Sequence, residues 1–284
     1  MNSQVYPLGI RIYLFSYRLL MRQFAFFNAL LAGFCLGLLR REYLYLVNKI
    51  YYDNSKSYHD EDYNQRGLRD WERKVINEYF QQAKSLLVAG VGGGREVLAL
   101  RRLGCAVDGF DCNPGLVECA NALLKKEGFL PDLQYIPEDQ CPDSARTYDG
   151  VIVGWGVYMH IQGRQPRIRF VQTLRTRTRE NCPILLSFFH RSGAETRFKV
   201  IATIGNILRR ILRRGNPLEA GDDLFHFMSV HFFTKEEIET ELHEGGFRLK
   251  FYSALGEGHA VGIASARNEM RVVQKLACGE NSKF

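Results

Sequence analysis

No two of the seven cysteines in this 284-residue chain stand as a C-x-x-C pair. They lie at 35, 105, 112, 119, 141, 182 and 278, odd in number and widely spaced. That excludes the usual zinc knuckles and redox dithiols, and free thiols in the reducing cytoplasm are expected. Tight acid clusters are equally scarce. Asp222-Asp223 is the tight pair of the insert between Arg191 and Phe233, and no metal site is expected. No recognisable RNA-binding module is appended, which argues against a nucleic-acid partner. What is present is ordinary: 46% hydrophobic and 24% charged residues, which excludes a disordered or collagen-like chain. The length suits one large domain plus an appendage, with a core that needs no staples.

The net charge is +7, and its distribution is uneven. Between Ile161 and Gly215 stand twelve arginines and Lys199, opposed by Glu180 and Glu195. Charge of this density points to an anionic ligand or surface, or to solvated helix faces.

Near the N-terminus, Gln23 to Leu39 is uncharged for 17 residues and bounded by Arg22 and Arg40-Arg41. That is the lower limit for a membrane-crossing helix, and Gln23, Asn28 and two glycines weaken it further. Arg11, Arg18 and Arg22 resemble a signal n-region, but Arg-Arg-Glu follows rather than a small-residue cleavage site. Three readings stay open: a helix packed on the main domain or on a second copy, an interfacial helix touching lipid, and a true span. A helix beginning after Asp70 as its cap, with Trp71, Val75, Ile76, Tyr79 and Phe80 at helical spacing, leads into the first strand.

From there the order is regular. Ser85 to Ala89 reads as a strand and Gly-Val-Gly-Gly-Gly-Arg-Glu as a turn. VLALRRLG reads as a helix, and Ala106 to Phe110 as a second strand ending at Asp111. Gly90 and Asp111 are 21 residues apart, the geometry of a nucleotide-binding βαβ unit. Glycines let the backbone approach a ligand at the strand mouth, and the acid can accept from both ribose hydroxyls. Further strands are expected at Leu133 to Ile136, Tyr148 to Trp155 and Pro183 to Phe189, with a helix from Gln165 to Arg179. Thr234 caps a last helix ending at Gly245-Gly246. Two final strands, Arg248 to Ala254 and His259 to Ala266, pair antiparallel through a short connection.

The motifs VAGVGGGRE (88–96), GFDCNP (109–114), Glu138-Asp139 and YDGVIVGWGVYMHI (148–161), together with the closing strand–helix–strand–strand order, resemble the class I S-adenosylmethionine-dependent methyltransferases. Gly90, Gly92 and Gly94 form G-x-G-x-G, the methyltransferase spacing; a dinucleotide fingerprint needs glycine where Arg95 stands. The resemblance covers Leu86 to Ala266. It implies an α/β fold, a doubly wound, mostly parallel seven-stranded sheet with a terminal antiparallel strand. A helical N-terminal region (1–81) would precede the domain (82–266), which carries a helical lid insert (191–233), and a tail (267–284) would follow.

The resemblance also implies a cofactor, S-adenosylmethionine, and roles for particular residues. Gly90, Gly92 and Gly94 would lie beneath its methionine and ribose. Asp111 would hold the ribose hydroxyls, with Cys112 and Asn113 beside the adenine and Asp139 near the adenine amine. Gly154 and Trp155 would meet the methionine end. The family's acid two residues before the first glycine is replaced by Val88, and Glu96 is the candidate to take over its task.

Transfer to oxygen calls for a base, and His160, beyond the fourth strand, and His190, ending the fifth, are the candidates. The sequence carries no N-P-P-Y amino-methylating signature. The expected acceptor is a small molecule, lipid or saccharide, methylated on oxygen rather than nitrogen. The alternative is a cofactor-binding scaffold without turnover. Residues 198–214 carry an apolar stripe (Val200, Ile201, Ile204, Ile207, Leu208, Ile211) crowded by arginines, expected as a lid helix or a basic helix on a membrane.

Overall fold

Alternation along single strands decides how the core divides. A computed structural model describes residues 6–143, 145–193, 195–256 and 258–266. In β1 (Ser85–Ala89), Leu86 and Val88 point to one face of the sheet and Leu87 and Ala89 to the other. β4 (Gly150–Val153) repeats the pattern, with Ile152 opposed to Val151 and Val153. Both faces are buried, as a parallel sheet flanked by helices requires. Around β1 and β4 lie β2 (Ala106–Asp111), β3 (Gln134–Tyr135) and β5 (Pro183–His190), in the order β3-β2-β1-β4-β5, all parallel. β9 (Gly258–Ala264) runs antiparallel beside β5, and β8 (Phe247–Ser253) antiparallel beside β9. This is the expected seven-stranded doubly wound sheet.

One face is covered by α5 (Asp70–Tyr79), α6 (Arg95–Arg102) and α7 (Pro114–Lys126). The other carries α8 (Val157–His160), α9 (Arg164–Thr176) and α11 (Lys235–Glu244). Thr234 caps α11: its hydroxyl accepts from the Glu237 N–H at 3.2 Å while Glu237 accepts from the Thr234 N–H at 2.7 Å. At α5 the cap position is Arg69 rather than Asp70, because Glu72 reaches back to the Arg69 N–H at 2.7 Å.

The insert departs from expectation. Beyond α10 (Glu195–Ile211) it forms a hairpin, β6 (Asp222–Phe225) with β7 (Met228–Phe233). β7 pairs parallel with Phe189-His190, so β5 forks and the sheet grows to nine strands. Nor is α10 a lid over the strand mouths. It packs along α1 (Leu8–Leu38), which is followed by α2 (Arg41–Asn54), α3 (Lys56–His59) and α4 (Glu61–Gln65). Glycines make the α1–α10 contact close. A Cβ on Gly33 would lie 2.8 Å from the Ile201 carbonyl oxygen, and one on Gly37 would lie 2.8 Å from Gly205 Cα. Arg209 adds a hydrogen bond to the Leu36 carbonyl at 3.0 Å. The polar tail with its VVQKLAC patch lies outside the described residues.

Part of the arginine-rich stretch is neutralised within the domain. Arg164 pairs with Glu244, Arg167 with Glu241 and Glu219, Arg179 with Asp149, Arg191 with Glu237, and Arg197 with Asp223. All six of these acids come from outside the stretch, which is why composition over a window overstated the free charge.

Candidate functional site

The cleft opens where β1, β2 and β4 end, and its cavity volume is about 140 Å³. Its floor is the turn after β1. Gly90, Gly92 and Gly94 all take positive φ (81°, 51° and 97°), and a Cβ on Gly90 would overlap Val157. Gly93 has its own constraint. A Cβ there would fall 2.2 Å from the Tyr58 carbonyl oxygen and 2.3 Å from Asn64 Nδ2, so the N-terminal region presses directly on the turn.

Asp111, at the end of β2, faces this floor. Its carboxylate accepts from the Gly92 N–H at 2.8 Å and from the Asn113 N–H at 2.9 Å. Burial nonetheless pushes its pKa up, because the desolvation of the charge outweighs those donors. Asn113 caps α7 by accepting from the Leu116 N–H at 3.2 Å, and its Nδ2 donates to Asp53 at 2.8 Å. Cys112 sits exposed between them at the cleft wall.

Glu96 lines the cleft behind the turn and is buried. Arg95 donates to it at 2.5 Å while gripping both Glu72 oxygens at 2.7 Å. Burial raises the Glu96 pKa, and Arg95 opposes that. Val88 is wholly buried on the α6 side of the sheet and reaches no ligand.

The roof comes from α2 to α4. Tyr45, Asn48, Tyr52, Tyr58 and Asn64 all line the cleft. Two polar latches hold it down. Arg41 and Tyr45 bind Asp139, the tyrosine hydroxyl donating at 2.8 Å. Asn48 pairs with Ser229 of β7 through both backbone groups, at 3.1 Å and 2.9 Å. The roof was legible as a tyrosine-dense segment, 43–63, but nothing local said what it covers.

His160 lies under this roof, half-buried. Nδ1 lies 3.1 Å from the Ser229 carbonyl oxygen and 3.0 Å from the Asn48 amide nitrogen, and Nε2 lies 2.9 Å from Tyr52 Oη. Burial holds the ring neutral, with its pKa pushed down to about 4.

Three expectations need correction. His190 is not among the cleft residues; Nδ1 is 2.6 Å from Tyr252 Oη on β8. The fork of β5 turns it away. Gly154 packs under the floor, its missing Cβ leaving room for the Gly90 carbonyl, while Trp155 lines the cleft beneath the Arg69 guanidinium. Asp139 reaches the cleft wall, but Arg41 and Tyr45 occupy its carboxylate, so it acts as the roof's latch. Among the described residues no group of three or more His, Cys, Asp or Glu could hold a metal ion.

No family model and no curated protein matches the chain. Solved structures do. A SAM-dependent methyltransferase from Methanosarcina mazei aligns over 71% of this chain and 100% of its own, with a TM-score of 0.54 and 16% identity. The 1,6-didemethyltoxoflavin-N1-methyltransferase of Burkholderia thailandensis, solved with 1,6-didemethyltoxoflavin and S-adenosylhomocysteine, aligns over 81% and 92%, with a TM-score of 0.56 and 16% identity. A sugar N-methyltransferase from Streptoalloteichus aligns over 69% and 86%, with a TM-score of 0.50 and 13% identity. The fold is therefore that of the class I SAM-dependent methyltransferases.

Proposed function

We propose that the protein is an S-adenosylmethionine-dependent methyltransferase acting on a small or amphiphilic acceptor, and that it transfers the methyl group to oxygen. One observation carries the reading: a buried carboxylate, Asp111, stands across from a glycine floor inside a cleft closed by tyrosines. The residues fit the cofactor. Asp111 supplies an acceptor for ribose hydroxyls, a Cβ on Gly92 would meet the Tyr58 ring at 3.8 Å without overlap, and Glu96 offers a buried carboxylate toward an ammonium group. The sulfonium supplies the methyl group and a good leaving group.

The chain's own residues supply position and desolvation, which together account for much of such a barrier. The roof excludes water from the floor. In the tautomer that leaves Nε2 unprotonated, the pair Tyr52–His160 can accept an acceptor's proton, the hydroxyl passing its own to Nε2 as it receives one. A base held near pKa 4 suits an acidic hydroxyl, such as a phenol, an enol or a carboxylic acid, better than an alcohol. Nucleic acid is not proposed, because several of the arginines that suggested it are ion-paired within the domain.

Calorimetric titration with S-adenosylmethionine and S-adenosylhomocysteine tests the cofactor. Micromolar binding is expected, and Asp111→Ala should weaken it by about a hundredfold. Folded protein that binds neither ligand overturns the reading. The occupied Nε2 of His160 and the absence of an acid at Val88 favour a second reading, a cofactor-binding scaffold. Binding without any S-adenosylhomocysteine formed across an acceptor screen would select it.

A further inference from the structure

α1 is 31 residues long, yet it docks over its second half alone: Ala29, Ala32, Gly33, Leu36 and Gly37 are its buried residues. Its first half leaves the body of the protein. Along the outer side runs an apolar stripe from Tyr13 through Tyr17, Leu20, Phe24, Phe27 and Leu31 to Leu38, each between 43% and 66% exposed. Ile12 is exposed on a flank of the stripe, and Phe15 and Phe26 are exposed beside the line of arginines. At 3.6 residues per turn, Arg11, Arg18 and Arg22 fall within about 40° of one another, on the opposite side. Ala29, Gly33 and Leu36, which face α10, continue that same side.

A helix with one narrow basic line and apolar residues around the rest of its circumference exposes more apolar surface than one partner helix can cover. By length and composition the helix could cross a membrane. However, the uncharged part is fastened to α10, and the free part holds three arginines, each costly at a bilayer centre.

We propose that α1 lies in the plane of an anionic membrane surface, its Tyr13–Leu38 stripe among the acyl chains and Arg11, Arg18 and Arg22 at the headgroup phosphates. Charge complementarity selects the anionic lipid. Exposed Arg210 and Arg213, at the end of α10 and in the turn after it, add to that charge. The apolar surface continues onto α2 through exposed Tyr43, Leu46 and Ile50. The other side of α2 carries Tyr45, Asn48 and Tyr52, the roof of the cleft. Resting on the methyltransferase reading, this places the roof between bilayer and cleft, where an acceptor dissolved in the membrane would be taken up.

Full-length protein is tested by flotation with phosphatidylcholine vesicles, with and without phosphatidylglycerol, beside two variants. One combines Leu20→Asp, Phe24→Asp and Phe27→Asp; the other combines Arg11→Gln, Arg18→Gln and Arg22→Gln. Wild type should float with the anionic vesicles and be released by alkaline carbonate. The aspartate variant should lose about a hundredfold in vesicle affinity, and the glutamine variant its preference for phosphatidylglycerol. Both should keep wild-type affinity for S-adenosylmethionine, which shows that they fold. Wild-type protein that stays with neither vesicle overturns the proposal. So does resistance to carbonate, which means a span. A discrete dimer by light scattering, dispersed by the aspartate variant and indifferent to lipid, assigns the stripe to a second copy and overturns it too. Loss of cofactor binding in wild type would sink the methyltransferase reading and leave the membrane contact standing.

Discussion

α2 and α10 are both surface helices with an apolar side and several basic residues, and they end in opposite roles. α10 lies on α1 through glycines and aliphatic side chains, away from the cleft. α2 closes the cleft through a tyrosine, an asparagine and an arginine that hydrogen-bond into the domain. Apolar stripes choose a neighbour by shape, and several neighbours can satisfy them. Directional polar groups accept few partners, so they placed the roof while the stripe placed a buttress.

That contrast can be tested by breaking each side in turn. The largest effect is expected at the roof's half-buried base. Folding keeps His160 unprotonated down to about pH 4, against its ordinary 6.5. Above 6.5 both folded and unfolded chains leave it neutral and nothing is lost. As pH falls from 6.5 toward 4, the unfolded chain takes up a proton that the folded one refuses, so stability falls by about 3 kcal/mol. His160→Gln should flatten that part of the pH profile in urea unfolding, and an unchanged profile would mean that burial does not hold the ring neutral.

On the buttress side, Gly37→Leu forces a side chain against Gly205, whose backbone an added Cβ would already meet at 2.8 Å. A loss of about 2 kcal/mol is expected, with cofactor affinity kept. Cofactor affinity falling in parallel would show that α10 does shape the cleft. Smaller again is the latch. Asp139→Asn removes the partner of Arg41 and weakens the grip of Tyr45, and the KM for cofactor should rise about tenfold, at a cost of about 1.4 kcal/mol, with melting temperature nearly unchanged. Tyr52→Phe should leave cofactor binding intact and lower turnover alone, since the hydroxyl meets His160 and not the glycine floor.

The legible parts of the site were those written within one short stretch of chain. The glycine floor and Asp111 belong to one βαβ unit, and the strand spacing alone brings Gly92 to within 2.8 Å of that carboxylate. The roof contacts span far longer separations. Tyr45 meets Asp139 from 94 residues away, Tyr52 meets His160 from 108, and Asn48 meets Ser229 from 181. No periodicity encodes such pairs. His190 misled for a related reason: a strand end usually faces the ligand, but the hairpin of β6 and β7 takes up that end of β5.

By itself, the sequence determined the doubly wound sheet, its capped helices and the glycine–aspartate floor, because local spacing and alternation leave a chain few other ways to bury its apolar residues. It also placed an apolar helix at 23–39, which the fold extends to Leu8–Leu38. Tertiary structure alone decided which half of that helix is covered, which helix roofs the cleft, and which candidate histidine reaches it. Those outcomes depend on whether distant backbones can approach closely and whether distant polar groups find partners, and neither property belongs to any single segment.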